Sequence, residues 1–195
     1  MADPSPADPR FDAAALARLI RGRRSINLFE PEPVGTERLL EAIELARWAP
    51  NHRLTEPWRF YLLGEATAEA AARSAADLDA ETKGSRAGEA RYARLKAIPG
   101  NFVVTTRRSD DELTDRENYA ACCCAVQNLM LYLWQHGIGV KWTTGAITRE
   151  PRFYELLGID SGVERIVGLF WYGRPKVVPQ PQPRRDVGEI AIEMP

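Results

Sequence analysis

The sequence predicts a single domain in which α-helices alternate with short β-strands, and three observations carry that reading. A chain of 195 residues is long enough to bury a real core and short enough to be one domain. Apolar residues recur at helical spacing in several segments, separated by short runs rich in β-branched and aromatic residues. No apolar run reaches the roughly 18 residues of a membrane span. A net charge of −1 with acids and bases interspersed argues against a nucleic-acid or polyanion surface.

The first ten residues, MADPSPADPR, lack the apolar core of a signal peptide and are expected to be a disordered leader of a cytoplasmic protein, with one domain over residues 11–195. Phe11 to Arg23 reads as an amphipathic helix with Leu16, Leu19 and Ile20 on its apolar face. Pro31, Pro33 and Gly35 mark a loop, after which Thr36 is placed to cap a second helix, Glu37 to Trp48, carrying Leu39, Leu40 and Ile43. Trp58 to Leu63 and Asn101 to Thr106 read as strands, Val140 to Thr143 as a shorter one, and Arg165 to Trp171 as a buried central strand. Between the first two strands, residues 65–99 are rich in Ala, Arg and Glu and are expected to be a helical, variable insertion, a candidate lid.

Asp115 to His136 is apolar around most of a helical circumference, through Tyr119, Ala121, Val126, Leu129, Met130, Leu133 and Trp134. Such a helix is a central core helix, part of a subunit interface, or both, and Gln127 and Asn128 rule out a membrane segment. Gly137 and Gly139 end it and turn the chain into the next strand. His136, at that end, suits charge compensation of the helix dipole. The three consecutive cysteines, Cys122 to Cys124, point in different directions on this helix and are expected to be inert core residues, with no disulfide framework and no zinc spacing.

Two segments carry chemistry. Arg23-Arg24-Ser25, where the first helix ends, offers two planar guanidinium forks and a hydroxyl, a set able to hold a phosphate bidentately. The same arginines would equally serve as a solvated, dipole-compensating helix end. No Gly-x-Gly-x-x-Gly follows a strand, so a Rossmann dinucleotide site is not expected. No Ser-His-Asp set is apparent either, since the chain has only two histidines.

The order of the pieces, RRSINLFEPEPV, then a helix, then WAPNHRLTEPWRFYLL, and near the end GLFWYGRPKVVPQPQPRRDVGEI, resembles the nitroreductase family of FMN-dependent oxidoreductases from about Leu19 to Ile190, most weakly over residues 65–99. The resemblance implies an α+β three-layer sandwich, a central mixed or antiparallel sheet flanked by helices. It also implies an intertwined homodimer with two FMN sites at the subunit interface and a C-terminal segment, residues 175–195 here, reaching over the partner. The prolines of Pro175 to Arg185 suit such an extended tail; the alternative is a disordered end.

Carried over position by position, the resemblance puts Arg23, Arg24, Ser25 and Asn27 at the FMN phosphate and ribityl chain, with Arg185, and less directly Arg184, closing on the same phosphate. Trp48 and the segment around Asn51, His52 and Leu54 would line the flavin from the other subunit. Leu54 and Glu56 stand where the family commonly has Asn and Gln, and His52 resembles a smaller branch whose histidine reaches the flavin; on its own it also reads as a solvated loop residue. Trp142, Thr143, Thr144 and Gly145 match the segment whose backbone faces the redox edge of the ring. The implied activity is hydride uptake from NAD(P)H and reduction of a nitroaromatic, quinone or related small-molecule acceptor by a ping-pong mechanism, with the flavin and no protein side chain carrying the chemistry. A flavin-fragmenting or dehalogenating specialisation, or a non-catalytic FMN-storage protein, would share the same cofactor residues.

Overall fold

The computed structural model describes residues 12–195; the leader expected over residues 1–10 lies outside them. The first helix, α1, spans Ala13–Gly22 and is capped by Asp12, whose carboxylate accepts from the N–H groups of Ala14 and Ala15. The second, α2, spans Thr36–Ala46. Thr36 is therefore its first residue and not its cap: Gly35 takes that position with no side-chain hydrogen bond, and the helix ends before Trp48.

Among the described residues the sheet has four strands in the order β1-β2-β4-β3, all neighbours antiparallel. These are β1 (Trp58–Leu63), β2 (Gly100–Arg107), β3 (Gly139–Thr143) and β4 (Glu164–Gly173), so the strand expected to be central is an interior one. Ser25 adds a parallel bridge to Val140 on the free edge of β3, with the Ile26 N–H donating to the Val140 carbonyl at 3.2 Å. This approach needs a glycine opposite. A Cβ on Gly139 would lie 2.3 Å from Ile26 Cγ1.

Strand alternation divides the core between the two faces of the sheet. Phe102, Val104, Phe170 and Tyr172 pack with Leu39 and Ala42 of α2 and with Val126, Leu129 and Leu133 of α5, which spans Glu112–Gln135. Val103, Ile166, Leu169 and Trp171 pack on the other face with Ala71, Ala72 and Ala75 of α3 (Glu65–Lys83), Leu95 of α4 (Ser85–Lys96) and Phe153 of α6 (Pro151–Leu157). The result is the expected three-layer α+β sandwich. Of the two roles open to the long helix, α5 fills that of core helix, burying eight residues from Asn118 to Leu133 along one face.

The insertion is helical as expected: α3 and α4 form a hairpin turned by Gly84 at φ 94°, a conformation that suits glycine alone. Helix α6 was not foreseen, since seven residues are too few to show a helical period. The cysteines do not act alike. Cys122 is buried, Cys123 intermediate and Cys124 exposed, because only one of three consecutive positions on a helix faces its core. Beyond Gly173 the chain carries one short turn, Val187–Glu189, and is exposed from Lys176 onward.

Candidate functional site

Arg23 caps the C-terminus of α1 in an extended conformation, its N–H donating to the Leu19 carbonyl, so the chain leaves the helix with Arg23, Arg24 and Ser25 in succession. These three residues line a cavity of about 600 Å3, closed on its other side by Pro179 to Gln182 and Arg184 of the tail. The two arginines differ in what they do there. Arg24 folds its guanidinium back onto the carbonyls of Arg21 and Arg23, at 2.6 and 2.8 Å. Arg23 has no carboxylate partner among the described residues, and burial, with Arg24 and Arg184 close by, lowers its pKa. A half-buried guanidinium repelled by two others is short of an anion. Arg185 is exposed and does not line this cavity, so within one chain the tail arginine brought to Arg23 is Arg184.

Ser25 and Asn27 are both exposed and flank Ile26, which is fully buried, so the two polar side chains share the outward side of this edge segment. Asn27 Oδ1 accepts from Lys141 Nζ at 2.5 Å. Along β3 the chain passes from Val140, beside Ser25, to Thr144, four residues on, a distance of about 13 Å at the usual strand rise. Trp142 lies on the α5 face, its ring 5.3 Å from that of Phe170 and its indole N–H donating to the Val167 carbonyl at 3.0 Å. The register of β2 against β4 shifts at this point, Val104 facing Gly168 and Thr105 facing Ile166, which leaves Val167 out of that pairing. Thr143 Oγ1 donates to the Leu169 carbonyl at 2.8 Å. Thr144 lines a second cavity of about 450 Å3 with Arg108, Tyr119, Arg149 and Arg165, while a Cβ on Gly145 would meet no atom of the described residues within 4 Å.

The remaining predicted residues lie elsewhere on the subunit. Trp48 is 74% exposed, its indole N–H donating to Glu44 and the Arg47 guanidinium over its ring. Asn51 braces the next loop: its amide donates to the Ala49 carbonyl and its Oδ1 accepts from the Glu56 N–H at 3.0 Å. Within that loop Arg53, Leu54 and Glu56 all have positive φ, between 42° and 56°, a strained backbone for residues with a Cβ. His52 and Leu54 are exposed, and Thr55 ties the loop to α5 through Asn118 at 2.8 Å. None of Trp48, Asn51, His52 and Leu54 lines the Arg23 cavity of the same chain.

Sequence reasoning passed over three groups near these residues. Lys141 adjoins the singled-out Trp142, and strand alternation alone would have put it on the opposite face. Its ammonium lies 4.8 Å from the centre of the Trp171 ring, which Arg91 and Arg94 of α4 also approach. The wall formed by Pro179 to Gln182 had no motif to announce it. Glu164, buried at the start of β4, accepts from Arg59, Tyr61 and Thr105 of three different segment positions on β1 and β2, contacts that no local sequence pattern encodes.

Comparison with known proteins agrees with this geometry. The sequence model of the nitroreductase family matches residues 20–174. YfhC of Bacillus subtilis (strain 168), provisionally named an NAD(P)H nitroreductase, is 30% identical over 185 residues, covering 93% of this chain and 95% of that protein. A nitroreductase-like family protein from Bacillus cereus superposes with a TM-score of 0.83 at 28% identity, covering 100% of this chain and 98% of the other. The FMN-dependent nitroreductase NfnB from Mycobacterium smegmatis, solved with NADPH, has a TM-score of 0.77 at 20% identity, covering 94% and 99%. A family match over most of the chain, a 30% identical relative aligned nearly end to end, and the shared three-layer sandwich together establish that the chain belongs to the nitroreductase family.

Proposed function

We propose that the protein is an FMN-dependent oxidoreductase that takes hydride from NAD(P)H and reduces a nitroaromatic, quinone or related acceptor in ping-pong fashion. The observation that carries this is the convergence of Arg23, Arg24, Ser25 and Arg184 on one cavity, with Arg23 lacking an anionic partner among the described residues. A phosphate dianion fits this cavity: Arg23 and Ser25 would hold it through charge-assisted hydrogen bonds, with the charges of Arg24 and Arg184 adding to its attraction. From there Ser25 bridges β3 at Val140, and β3 carries the chain on to Thr144 and Gly145, where the open space that the described residues leave beside Gly145 gives room for a planar ring close to the backbone. FMN bound there would supply two-electron hydride chemistry that the side chains lack. The chain's own part is to anchor the phosphate, align the ring and tune its electronics. NfnB, described as FMN-dependent, and YfhC, provisionally named for NAD(P)H, support the cofactor and the donor.

The loop at Asn51 to Leu54 serves this function only if a second subunit is present, because it is away from the Arg23 cavity of its own chain. A homodimer that brings this loop to the partner's cavity is therefore part of the proposal. Purified protein should be yellow and release FMN on denaturation, identified by chromatography, and should oxidise NADH or NADPH when a quinone is supplied. Colourless protein that takes up no added FMN would overturn the assignment, whereas bound FMN without turnover would leave a storage protein.

A further inference from the structure

Resting on the FMN reading, we infer that Lys141, positioned by Asn27, is the cation that stabilises the electron-rich reduced flavin and so sets the reduction potential of this protein. Lys141 Nζ donates to Asn27 Oδ1 at 2.5 Å and lies 4.8 Å from the centre of the Trp171 ring, and it has no carboxylate partner among the described residues. Its surroundings are rich in donors and poor in acceptors. Arg91 and Arg94 approach the same ring at 5.8 and 5.4 Å, and among the described residues Asp79 is paired with Arg91, at 3.9 Å, and the buried indole N–H of Trp171 has no acceptor. Burial, then Arg94 and Arg91, lower the lysine's pKa, so its charge is held at a cost that a nearby anion would relieve.

Position along the edge says which part of the cofactor benefits. Ser25 bridges Val140 beside the phosphate cradle, and Lys141, the next residue along β3 toward Thr144, reaches Asn27 through its side chain. A cofactor anchored by its phosphate at Arg23 and extending toward Thr144 passes this pair beyond the phosphate and before the far end of the ring. Reduction places electron density at the N1 and C2 carbonyl side of the isoalloxazine, and a positive charge near it favours the reduced form over the oxidised one. Asn27, which is neutral, does not supply that charge. Its amide oxygen instead holds the flexible lysine stem in place, which makes Asn27 a positioning residue.

The test compares parent, Lys141→Met, Lys141→Arg and Asn27→Ala proteins. Each apo-protein is titrated with oxidised FMN, and the potential of the bound flavin is measured by equilibration with reference dyes. Lys141→Met should bind oxidised FMN nearly as well as the parent and lose about tenfold in affinity for the reduced form, a fall of about 30 mV for a two-electron couple. Lys141→Arg should restore most of the potential, and Asn27→Ala, a change at an exposed position, should shift it in the same direction by less. A merely structural lysine would weaken both redox forms equally and leave the potential unmoved. Unchanged potentials with FMN bound overturn this inference alone; a parent protein that binds no FMN overturns the reading beneath it.

Discussion

Arg24 donates to the carbonyl of Arg21 at 2.6 Å, and this bond separates two roles that the sequence leaves joined. A second bond, to the Arg23 carbonyl at 2.8 Å, completes the return of the Arg24 fork onto the exposed carbonyl end of α1. Arg24 thus takes the helix-end role. Arg23 spends no donor in that way, and it faces the cavity with Ser25 and Arg184.

Arg23→Ala is accordingly expected to damage FMN retention most among single substitutions. Truncating one partner of a buried, hydrogen-bonded charge pair costs roughly 2–5 kcal/mol, and each ~1.4 kcal/mol is tenfold, so binding should weaken about 30-fold or more. Arg24→Ala should instead lower stability by about 1 kcal/mol through the lost carbonyl contacts and affect FMN less. Titrating each apo-variant with FMN by flavin fluorescence, beside a thermal melt, checks both. Equal retention by Arg23→Ala and the parent would reduce the motif to a helix end.

His52→Ala should leave FMN retention within a few-fold of the parent and show its effect in turnover. The side chain is exposed, in a loop away from its own chain's phosphate cradle, and a ring contact does not replace a phosphate anchor. The same fluorescence titration, paired with steady-state NAD(P)H oxidation, distinguishes the cases; a loss of retention matching that of Arg23→Ala would contradict the assignment.

Gly168→Ala tests the platform beneath the flagged β3 segment. A Cβ there would lie 2.2 Å from Trp142 Nε1 and 2.4 Å from its Cδ1, on an indole already tied to the Val167 carbonyl. Overpacking of this kind costs about 1–3 kcal/mol. The Tm should fall by about 2–4 °C per kcal/mol for a domain of this size. An unchanged melting curve would mean that the indole moves freely, contrary to its packing.

The strands were legible because each is a short β-branched or aromatic run, and β1 ends where the sequence put it, at Trp58 and Leu63. The long core helix and the helical insertion were legible for the complementary reason, many residues of consistent period. What failed to show was whatever depends on distance in sequence. Lys141 meets Asn27 across 114 positions, and Glu164 collects partners from β1 and β2 more than fifty residues away. The split between Arg23 and Arg24 was hidden too, since identical side chains at adjacent positions carry no local mark of which one turns back.

Cys122 makes stability depend on alkaline pH. Burial pushes its thiol from 9.0 up to about 11, so the neutral form is favoured in the folded chain. A group whose folded pKa is raised contributes fully below its unfolded value; here the contribution is intact below about pH 9 and is lost as pH rises toward 11. The full effect is on the order of 2–3 kcal/mol. Urea unfolding at pH 8 and pH 11 should show that loss for the parent and a smaller one for Cys122→Ala. In the folded protein at pH 8, a thiol reagent should label exposed Cys124 first and Cys122 only on unfolding.

The last expectation is that the protein is a homodimer and that α1 contributes to the contact. Leu16 and Ile20, on the apolar side of that helix, are 55% and 50% exposed, and α1 buries no residue fully in one subunit. Leu40, Trp48 and Leu54 add further exposed apolar surface. An amphipathic helix gains its stability by covering its apolar face, and the described residues of a single subunit leave this one open. Ile20 also lines the Arg23 cavity, which ties the two questions together. Light scattering at micromolar concentration should report twice the chain mass, and a Leu16→Glu, Ile20→Glu double variant should shift toward monomer and lose FMN with it. A parent protein that is monomeric with flavin bound would contradict the dimer and return Trp48, Asn51, His52 and Leu54 to the role of surface residues.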